Sequence, residues 1–256
     1  ITPDTPTGIG GWSEAQLRDA LRKGRAPGKG WLYPAMPYTS YTGMTDNDVS
    51  ALYAYLQSVP AVSHQVRATD LGFPFIRPAM LAWNLLYLKE GHAAGEIPAQ
   101  GESAERGRYL VEALGHCSAC HTPRGMLMAE LPDQHLGGAF VGGWHAPNIT
   151  NDASGLGRWS DQDLTTFLQK GHNSVAVAGG DMGLAVSRSL SHLGDSEIAD
   201  IIAYLRQVPA VASAALPAAP STPAHVDPDK VEGPITGWRN LANNDTLDGA
   251  VLYQSA

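Results

Sequence analysis

The sequence predicts an all-α protein made of tandem small domains with long loops and extended linkers. Short apolar segments have helical spacing, and few segments alternate as strands do. The chain also repeats itself: ITPDTPTGIGGWSEAQLRDALRKG at 1–24 recurs as ITNDASGLGRWSDQDLTTFLQKG at 149–171. A period of roughly 150 residues is far too long for a solenoid and indicates tandem domains.

Each copy of the repeat predicts the same two helices. Ser13 with Gln16, and Ser160 with Asp163, resemble capping boxes that open a short helix. A second, amphipathic helix follows in each copy and is stopped by the proline of a Val-Pro-Ala-Val sequence. Its apolar residues recur at i, i+3, i+4 and i+7, as Val49, Leu52, Tyr53 and Leu56 in the first copy and Ile198, Ile201, Ile202 and Leu205 in the second.

The repeat and the composition between its copies predict the domain boundaries. The predicted segments are the C-terminal part of a first domain at 1–65, a linker at 66–103, a complete second domain at 104–213, a linker at 214–244 and the start of a third domain at 245–256. The first linker contains an aromatic run near Trp83, for which an interdomain core is favoured. The second is rich in Ala and Pro and is expected to be extended.

Composition and charge exclude some classes of function. The formal net charge of −8 argues against a nucleic-acid partner, which usually requires a basic surface. No apolar run reaches the roughly 18 residues of a membrane span. No signal peptide is visible, but the chain begins at Ile1 rather than Met, so we expect a processed or partial chain.

The only two cysteines of the sequence lie in GHCSACHTPRG, at 115–125. A structural zinc site would need four ligands, and no second Cys pair or suitably spaced His pair completes one. A thioredoxin-like redox pair would be expected near a βαβ pattern, whereas the flanks here are helical; Tyr109, Leu110, Ala113 and Leu114 form the predicted apolar face ahead of the motif.

Covalent attachment of haem c explains the whole motif. Cys-x-x-Cys-His is the attachment signature of c-type haem. Cys117 and Cys120 lie about one helical turn apart, so both thiols can form thioethers with the vinyl groups of one porphyrin. The imidazole of His121 then ligates the iron. The sequence therefore favours one complete haem c site.

A second axial ligand is predicted from the second copy. His/Met ligation raises the potential of an electron-transfer haem. Met182 in AGGDMGLAV is expected on a loop that crosses the distal face, where glycines let the backbone approach a flat cofactor. A core-filling methionine is the alternative. His192 is a weaker candidate for the ligand.

The first copy offers half of an equivalent site. Met36, braced by Pro34 and Pro37, has nearly the same repeat position as Met182 and is the predicted ligand; Met44 is expected at a helix edge. The repeat puts the corresponding Cys motif ahead of the first residue. At the other end, DGAVLYQSA echoes the sequence before Cys117, so we expect a longer chain that carries three haems.

These motifs resemble the triheme cytochrome c subunit of membrane-bound alcohol, sorbitol and gluconate 2-dehydrogenases. TGIGGWS, LYPAMPY, WNLL, GRYLVEALGHCSACHTPRG, APNIT, LGRWSDQDL and SHL extend the resemblance over nearly the entire chain. It implies cytochrome c domains with Met36 and Met182 as axial ligands. It also implies a subunit on the periplasmic side of the bacterial cell membrane. Such a subunit relays electrons from a catalytic quinoprotein or flavoprotein subunit to ubiquinone, and the C-terminal helix that attaches it to the membrane is absent from this sequence.

Other functions remain as alternatives. Cytochrome subunits of molybdenum-containing aldehyde or nicotinate dehydrogenases share this architecture. A multihaem peroxidase is less favoured, because it needs an open iron position that Met182 would fill. The sequence contains no nucleophile–base pair and no glycine-rich phosphate loop, so we expect no catalytic site in this chain, and the substrate would bind to the partner.

Smaller candidates surround the motif. Asn148, Thr150, Arg158 and Trp159 could hydrogen-bond the haem propionates, because a buried carboxylate requires donors. A capping and packing role of the same loop is the alternative. His116 and His135 are expected at the surface.

Overall fold

A computed structural model describes residues 1–67, 69, 76–93 and 95–212. This part of the chain is mainly helical. The α-helices are α1 (Glu14–Lys23), α2 (Tyr38–Tyr41), α3 (Asp46–Ser58), α4 (Ala79–Tyr87), α5 (Glu102–Arg108), α6 (Ser118–His121), α7 (Asp161–Lys170), α8 (Gly180–Arg188) and α9 (Asp195–Leu205). A π-helix spans Tyr109–Leu114, and short 3₁₀ turns span Pro132–Gln134, Leu156–Arg158 and Leu190–His192. The second linker and the third-domain start, expected at 214–244 and 245–256, lie outside the described residues.

Two short β-hairpins, which the sequence did not predict, add to the mainly helical fold. They pair β1 (Arg25–Ala26) with β2 (Gly30–Trp31), and β3 (Ala139–Val141) with β4 (Trp144–Ala146). Strands of two or three residues are too short to show alternation. The Gly142-Gly143 pair does signal the second hairpin, because both glycines have positive φ, as a two-residue hairpin turn requires.

The repeated helices form with the predicted caps. The Ser13 hydroxyl accepts a hydrogen bond from the Gln16 amide at the start of α1, and Ser160 does the same with Asp163 at the start of α7. In both boxes the side chain three residues on reaches back to the cap amide. Each helix therefore begins where its sequence predicts.

The crossing of α5 and α9 forms the centre of the second copy. The buried core around it contains Val111, Leu136, Ile201, Tyr204, Leu205 and Val208. A Cβ atom on Gly107 would lie 1.8 Å from the carbonyl oxygen of Asp200, so the two backbones meet where only glycine fits. Arg106 Nε adds an ion pair to Asp200 Oδ2 at 2.9 Å.

The amphipathic helices α3 and α9 differ in how far they are covered. All four predicted apolar residues of α9 are buried, whereas in α3 only Val49 is buried and the other three pack half-buried against α1. Tyr204 of α9 is fully buried, but Tyr55, at the same repeat position in α3, is 64% exposed. The helix α5 makes this difference, because it packs over α9.

The helix before the cysteines buries a different face from the predicted one. Residues Tyr109–Leu114 form a π-helix, in which the amide of Gly115 donates to the carbonyl of Leu110 at 2.7 Å. The wider turn rotates the side chains, so Val111, Glu112 and Ala113 are buried while Leu114 is exposed.

The segment 66–103 is not an extended linker throughout, because it contains α4. Met80 and Trp83 of this helix pack with Tyr38 of the first copy and Ala129 of the second. The indole N–H of Trp83 also donates to the carbonyl of Leu127 at 2.8 Å. Trp83 thus packs between residues of the two copies, which agrees with the interdomain core favoured for it. Within the described ranges, none of the helices has the length and apolar character needed to span a membrane.

Replacing Gly107 tests the helix crossing. We expect Gly107→Ala to lower the free energy of unfolding by about 3 kcal/mol, the upper end of the usual cost of overpacking, because α5 must move away from α9. Chemical denaturation followed by circular dichroism measures this. Gly11→Ala is the control, since its new methyl would lie 3.7 Å from Thr5 Cγ2, an ordinary contact. Equal stabilities of the two variants would contradict the prediction.

Candidate functional site

The Cys-x-x-Cys-His motif folds as one helical turn. Cys117 is the cap of α6, and its carbonyl accepts hydrogen bonds from the amides of Cys120 at 3.3 Å and His121 at 2.9 Å. Both cysteines are free thiols, with Cys117 half-buried and Cys120 exposed. The turn therefore presents two unpaired thiols next to an imidazole, the donor set that c-type haem attachment requires.

Electrostatics disfavour thiolate chemistry at this turn. Burial raises the pKa of Cys117 to about 12, and the negative charge of Glu112 adds to the shift. Burial also raises the pKa of Cys120, and Asp181 contributes. A redox-active pair has a lowered thiol pKa instead. These surroundings argue against the thioredoxin-like alternative.

The ring of His121 is oriented for metal ligation. Its Nδ1 lies 2.7 Å from the carbonyl oxygen of Pro147, which can only accept, so Nδ1 bears the proton and the lone pair of Nε2 is left for a metal. Burial lowers the pKa of His121, opposed by this hydrogen bond. The neutral imidazole that a metal needs is therefore the favoured form.

Met182 lies in a helix rather than on the expected loop. It is half-buried in the first turn of α8, which begins at Gly180 after the extended cap residue Gly179. Gly179 and Gly180 pack against the indole of Trp144, whereas the prediction kept their backbone accessible to a flat cofactor. After burial, the charge of Asp181, the residue before Met182, is the next contribution to the raised pKa of Cys120. His192 is exposed at the end of a 3₁₀ turn.

Large apolar side chains are exposed around α8. Trp144 is 60% exposed, and further exposed residues of this kind are Val175, Val177 and Leu184. Exposed apolar groups in one region indicate a surface that another group covers. A haem bonded to the neighbouring thiols fits this requirement, since its porphyrin is flat and apolar.

The loop that contains the propionate candidates is held together by its own hydrogen bonds. Asn148 and Thr150 are buried, and both the amide and the hydroxyl of Thr150 donate to Asn148 Oδ1. Asn148 Nδ2 donates to the carbonyl of Val211 at 2.7 Å. Arg158 is exposed at the end of a 3₁₀ turn, and Trp159 packs on Phe167. These contacts favour the capping and packing role, and contact with a propionate stays a prediction.

Sequence reasoning missed a buried polar cluster behind the motif. Glu112 Oε1 accepts a hydrogen bond from Tyr204 at 2.7 Å and lies 2.8 Å from His135 Nε2. His135 is buried, so its expected surface position is wrong. A glutamate within the apolar stretch YLVEALG is the signal that could have indicated this cluster, because a buried charge requires partners.

The methionines of the first copy occupy different surroundings. Met36 is half-buried before α2 and packs with the cluster of Tyr38 and Trp83. Met44 lies at the edge of α3 as expected, directly before the cap residue Thr45, and it is 8% exposed in the core between α1 and α3. Met36 therefore remains the predicted ligand of the two.

The first copy contacts the helix that leads into the motif. The Tyr109 hydroxyl donates to Asp48 Oδ2, and the amide of Thr45 donates to the same hydroxyl at 3.0 Å. His116 packs edge-on against Tyr41, with ring centroids 5.5 Å apart, so it is not a free surface residue as expected. The attachment turn thus lies next to the interface between the copies.

Comparison with known proteins identifies relatives over the whole chain. The cytochrome c family profile matches residues 104–209. The fructose dehydrogenase cytochrome subunit of Gluconobacter japonicus is 40% identical over 259 residues, which cover 100% of this chain and 53% of that protein. The gluconate 2-dehydrogenase cytochrome c subunit of Pantoea cypripedii is 40% identical over 219 residues, or 81% of this chain and 50% of that protein. The chain thus spans about half the length of these two relatives.

A third relative is covered more fully. The diheme cytochrome c-type protein of Cereibacter sphaeroides is 38% identical over 219 residues, which cover 82% of this chain and 71% of that protein. The resemblance to cytochrome subunits of dehydrogenases is therefore confirmed. The chain belongs to the cytochrome c family, whose prosthetic group is haem c.

Proposed function

We propose that this chain transfers electrons as the cytochrome c part of a dehydrogenase complex. It accepts electrons from a catalytic quinoprotein or flavoprotein subunit and passes them toward ubiquinone. The observation that supports this best is the attachment turn with the Nε2 atom of His121 left free. The relatives named as fructose and gluconate 2-dehydrogenase cytochrome subunits supply the partner class.

The residues of the chain hold the cofactor in complementary ways. Cys117 and Cys120 would bind the porphyrin covalently, and His121 and Met182 would supply the ligands of its iron. Haem c, when bound, supplies a one-electron couple whose potential is raised by His/Met ligation. The Pro147 carbonyl accepts a hydrogen bond from His121 Nδ1 and so orients the ring of the proposed ligand.

Met36 extends the proposal to a second haem. It would be an axial ligand of a haem in the first copy. This chain contains one attachment motif, so we expect one covalent haem here and three in the full-length protein. Ligation by methionine on the second side leaves no open iron position, which favours electron relay over peroxidase chemistry.

The location follows from the same resemblance. We propose the periplasmic side of the bacterial cell membrane, with contact to the membrane surface. The net charge of −8 favours a protein partner over nucleic acid.

Reduction of the haem by substrate tests the relay. The full-length protein is purified with its catalytic subunit, and fructose, gluconate and ethanol are added in turn under anaerobic conditions. We expect one of them to convert the haem absorption spectrum from oxidised to reduced, because electrons pass from the catalytic subunit to the iron. The relay would be contradicted if substrate reduced the catalytic subunit while every haem stayed oxidised.

Mass spectrometry tests the attachment residues. After maturation in a host that exports and attaches c-type haem, this chain should gain the mass of one haem, which remains after denaturation. Cys117→Ser with Cys120→Ser should abolish the gain, because both thioether bonds are lost. Ser118→Ala, in the same turn, is the control. A wild-type chain with two alkylatable thiols would refute covalent attachment.

A methionine substitution tests the sixth ligand. Met182→Ala should produce a high-spin ferric spectrum and a lower reduction potential, because the thioether is lost from the iron. Met126→Ala is the matched control, since Met126 is 94% exposed just after the motif. Optical spectroscopy and potentiometry of the matured chain measure both effects. Unchanged spectrum and potential in Met182→Ala would remove Met182 from the site.

A further inference from the structure

Trp144 packs directly on the start of the helix that contains Met182. A Cβ atom on Gly180 would lie 2.9 Å from Cε2 and 3.0 Å from Cδ2 of the indole, and one on Gly179 would lie 3.5 Å from Cζ3. Gly180 also has a φ of +52°, a conformation that favours glycine. The backbone at the start of α8 therefore lies against the indole ring, at a distance that only glycine permits.

A short hairpin fixes the position of this indole. Trp144 pairs with Val141 at the end of the β3–β4 ladder, next to the Gly142-Gly143 turn. Phe140 and His145 form the neighbouring pair, and their side chains point to the other face because successive strand residues alternate. The ring centroids of Phe140 and His145 are 4.9 Å apart, so the two rings pack against each other. Trp144 is thus the aromatic residue of the hairpin on the side of α8.

The same strand also holds the other proposed axial ligand. Pro147 follows β4 directly, and its carbonyl accepts the hydrogen bond from His121 Nδ1. Residues 144–147, a segment that we call the strap, therefore contact α8 through Trp144 and the His121 ring through Pro147. Any displacement of the strap would move the two proposed ligands relative to each other.

The exposure of Trp144 indicates that its role is not core packing. An indole that served only to fill a core would be buried, but Trp144 is 60% exposed. Its described contact is instead with the backbone of two glycines, where a large rigid ring limits how closely α8 can approach the strap.

We propose that Trp144 is a positioning residue that sets the location of the Met182 sulfur relative to the haem iron. The proposal rests on the proposed function, in which Met182 is the sixth ligand. Met182 lies two residues after Gly180 in the first turn of α8, so a shift of that turn displaces the sulfur. Groups that orient a ligand typically affect metal affinity by about 10- to 100-fold.

The experiment uses the 256-residue chain matured with its single haem, so that one spectrum is recorded without overlap. Trp144→Ala should lose the weak red absorption band of methionine–ferric ligation. It should also bind carbon monoxide in the ferrous state at least about tenfold faster, because the sulfur leaves the iron more often. Trp144→Phe should restore most of the band, since a flat ring still packs on the glycines.

Two further variants separate positioning from general destabilisation. Phe140→Ala removes a 75% exposed aromatic residue from the other face of the hairpin, and should leave the band and the carbon monoxide rate unchanged. Gly180→Ala keeps the indole but introduces the close contact, and should reproduce the effects of Trp144→Ala. If Trp144→Ala does not mature, Trp144→Leu, which keeps an apolar side chain but lacks the flat ring, decides the question with the same two measurements.

The outcomes distinguish this inference from the proposed function. If Met182→Ala abolishes the band and both Trp144→Ala and Gly180→Ala retain it with unchanged carbon monoxide rates, Trp144 does not position the ligand. If Met182→Ala leaves the wild-type spectrum intact, Met182 is not the ligand and the underlying assignment fails. Equal losses in Phe140→Ala and Trp144→Ala would also overturn the positioning role, because the hairpin would then act only as a whole.

Discussion

The second copy depends on the contact between Gly107 of α5 and the backbone of α9. No side chain separates the two helices there, so the close contact fixes the position of α5 on α9. The residues that follow α5 therefore enter the core at a defined point along α9. The π-helix and the attachment turn continue directly from α5, so the crossing also determines where the two thiols and His121 lie. The proposed haem site is thus positioned by a helix pair that contributes none of the proposed ligands.

Buried polar contacts secure this arrangement. Glu112 joins the π-helix to α9 through Tyr204 and to the loop after the motif through His135. Burial and the adjacent Glu112 charge raise the pKa of Tyr204, so the phenol stays protonated and keeps donating its hydrogen bond. A single carboxylate therefore connects three segments around the attachment turn, at the expense of burying a charge.

The sequence predicted most of the local structure but less of the tertiary contacts. Caps, helix periodicity and the Cys motif are local patterns, so α1, α7, α9 and the attachment turn could be located in advance. The face buried ahead of the motif could not, because a π-helix changes the periodicity that the prediction assumes. The partner of His135 and the contact of Trp144 with Gly180 join residues far apart in sequence, and only the folded chain reveals them.

The hydrogen bond from Trp83 to the Leu127 carbonyl has a consequence for the proposed electron transfer between the two copies. It fastens α4, and with it the core around Met36, to the loop that leaves the attachment turn. The two copies of the repeat are therefore in contact close to their proposed haem ligands. In the proposed relay, this contact would help to hold the distance that an electron must tunnel between the two copies.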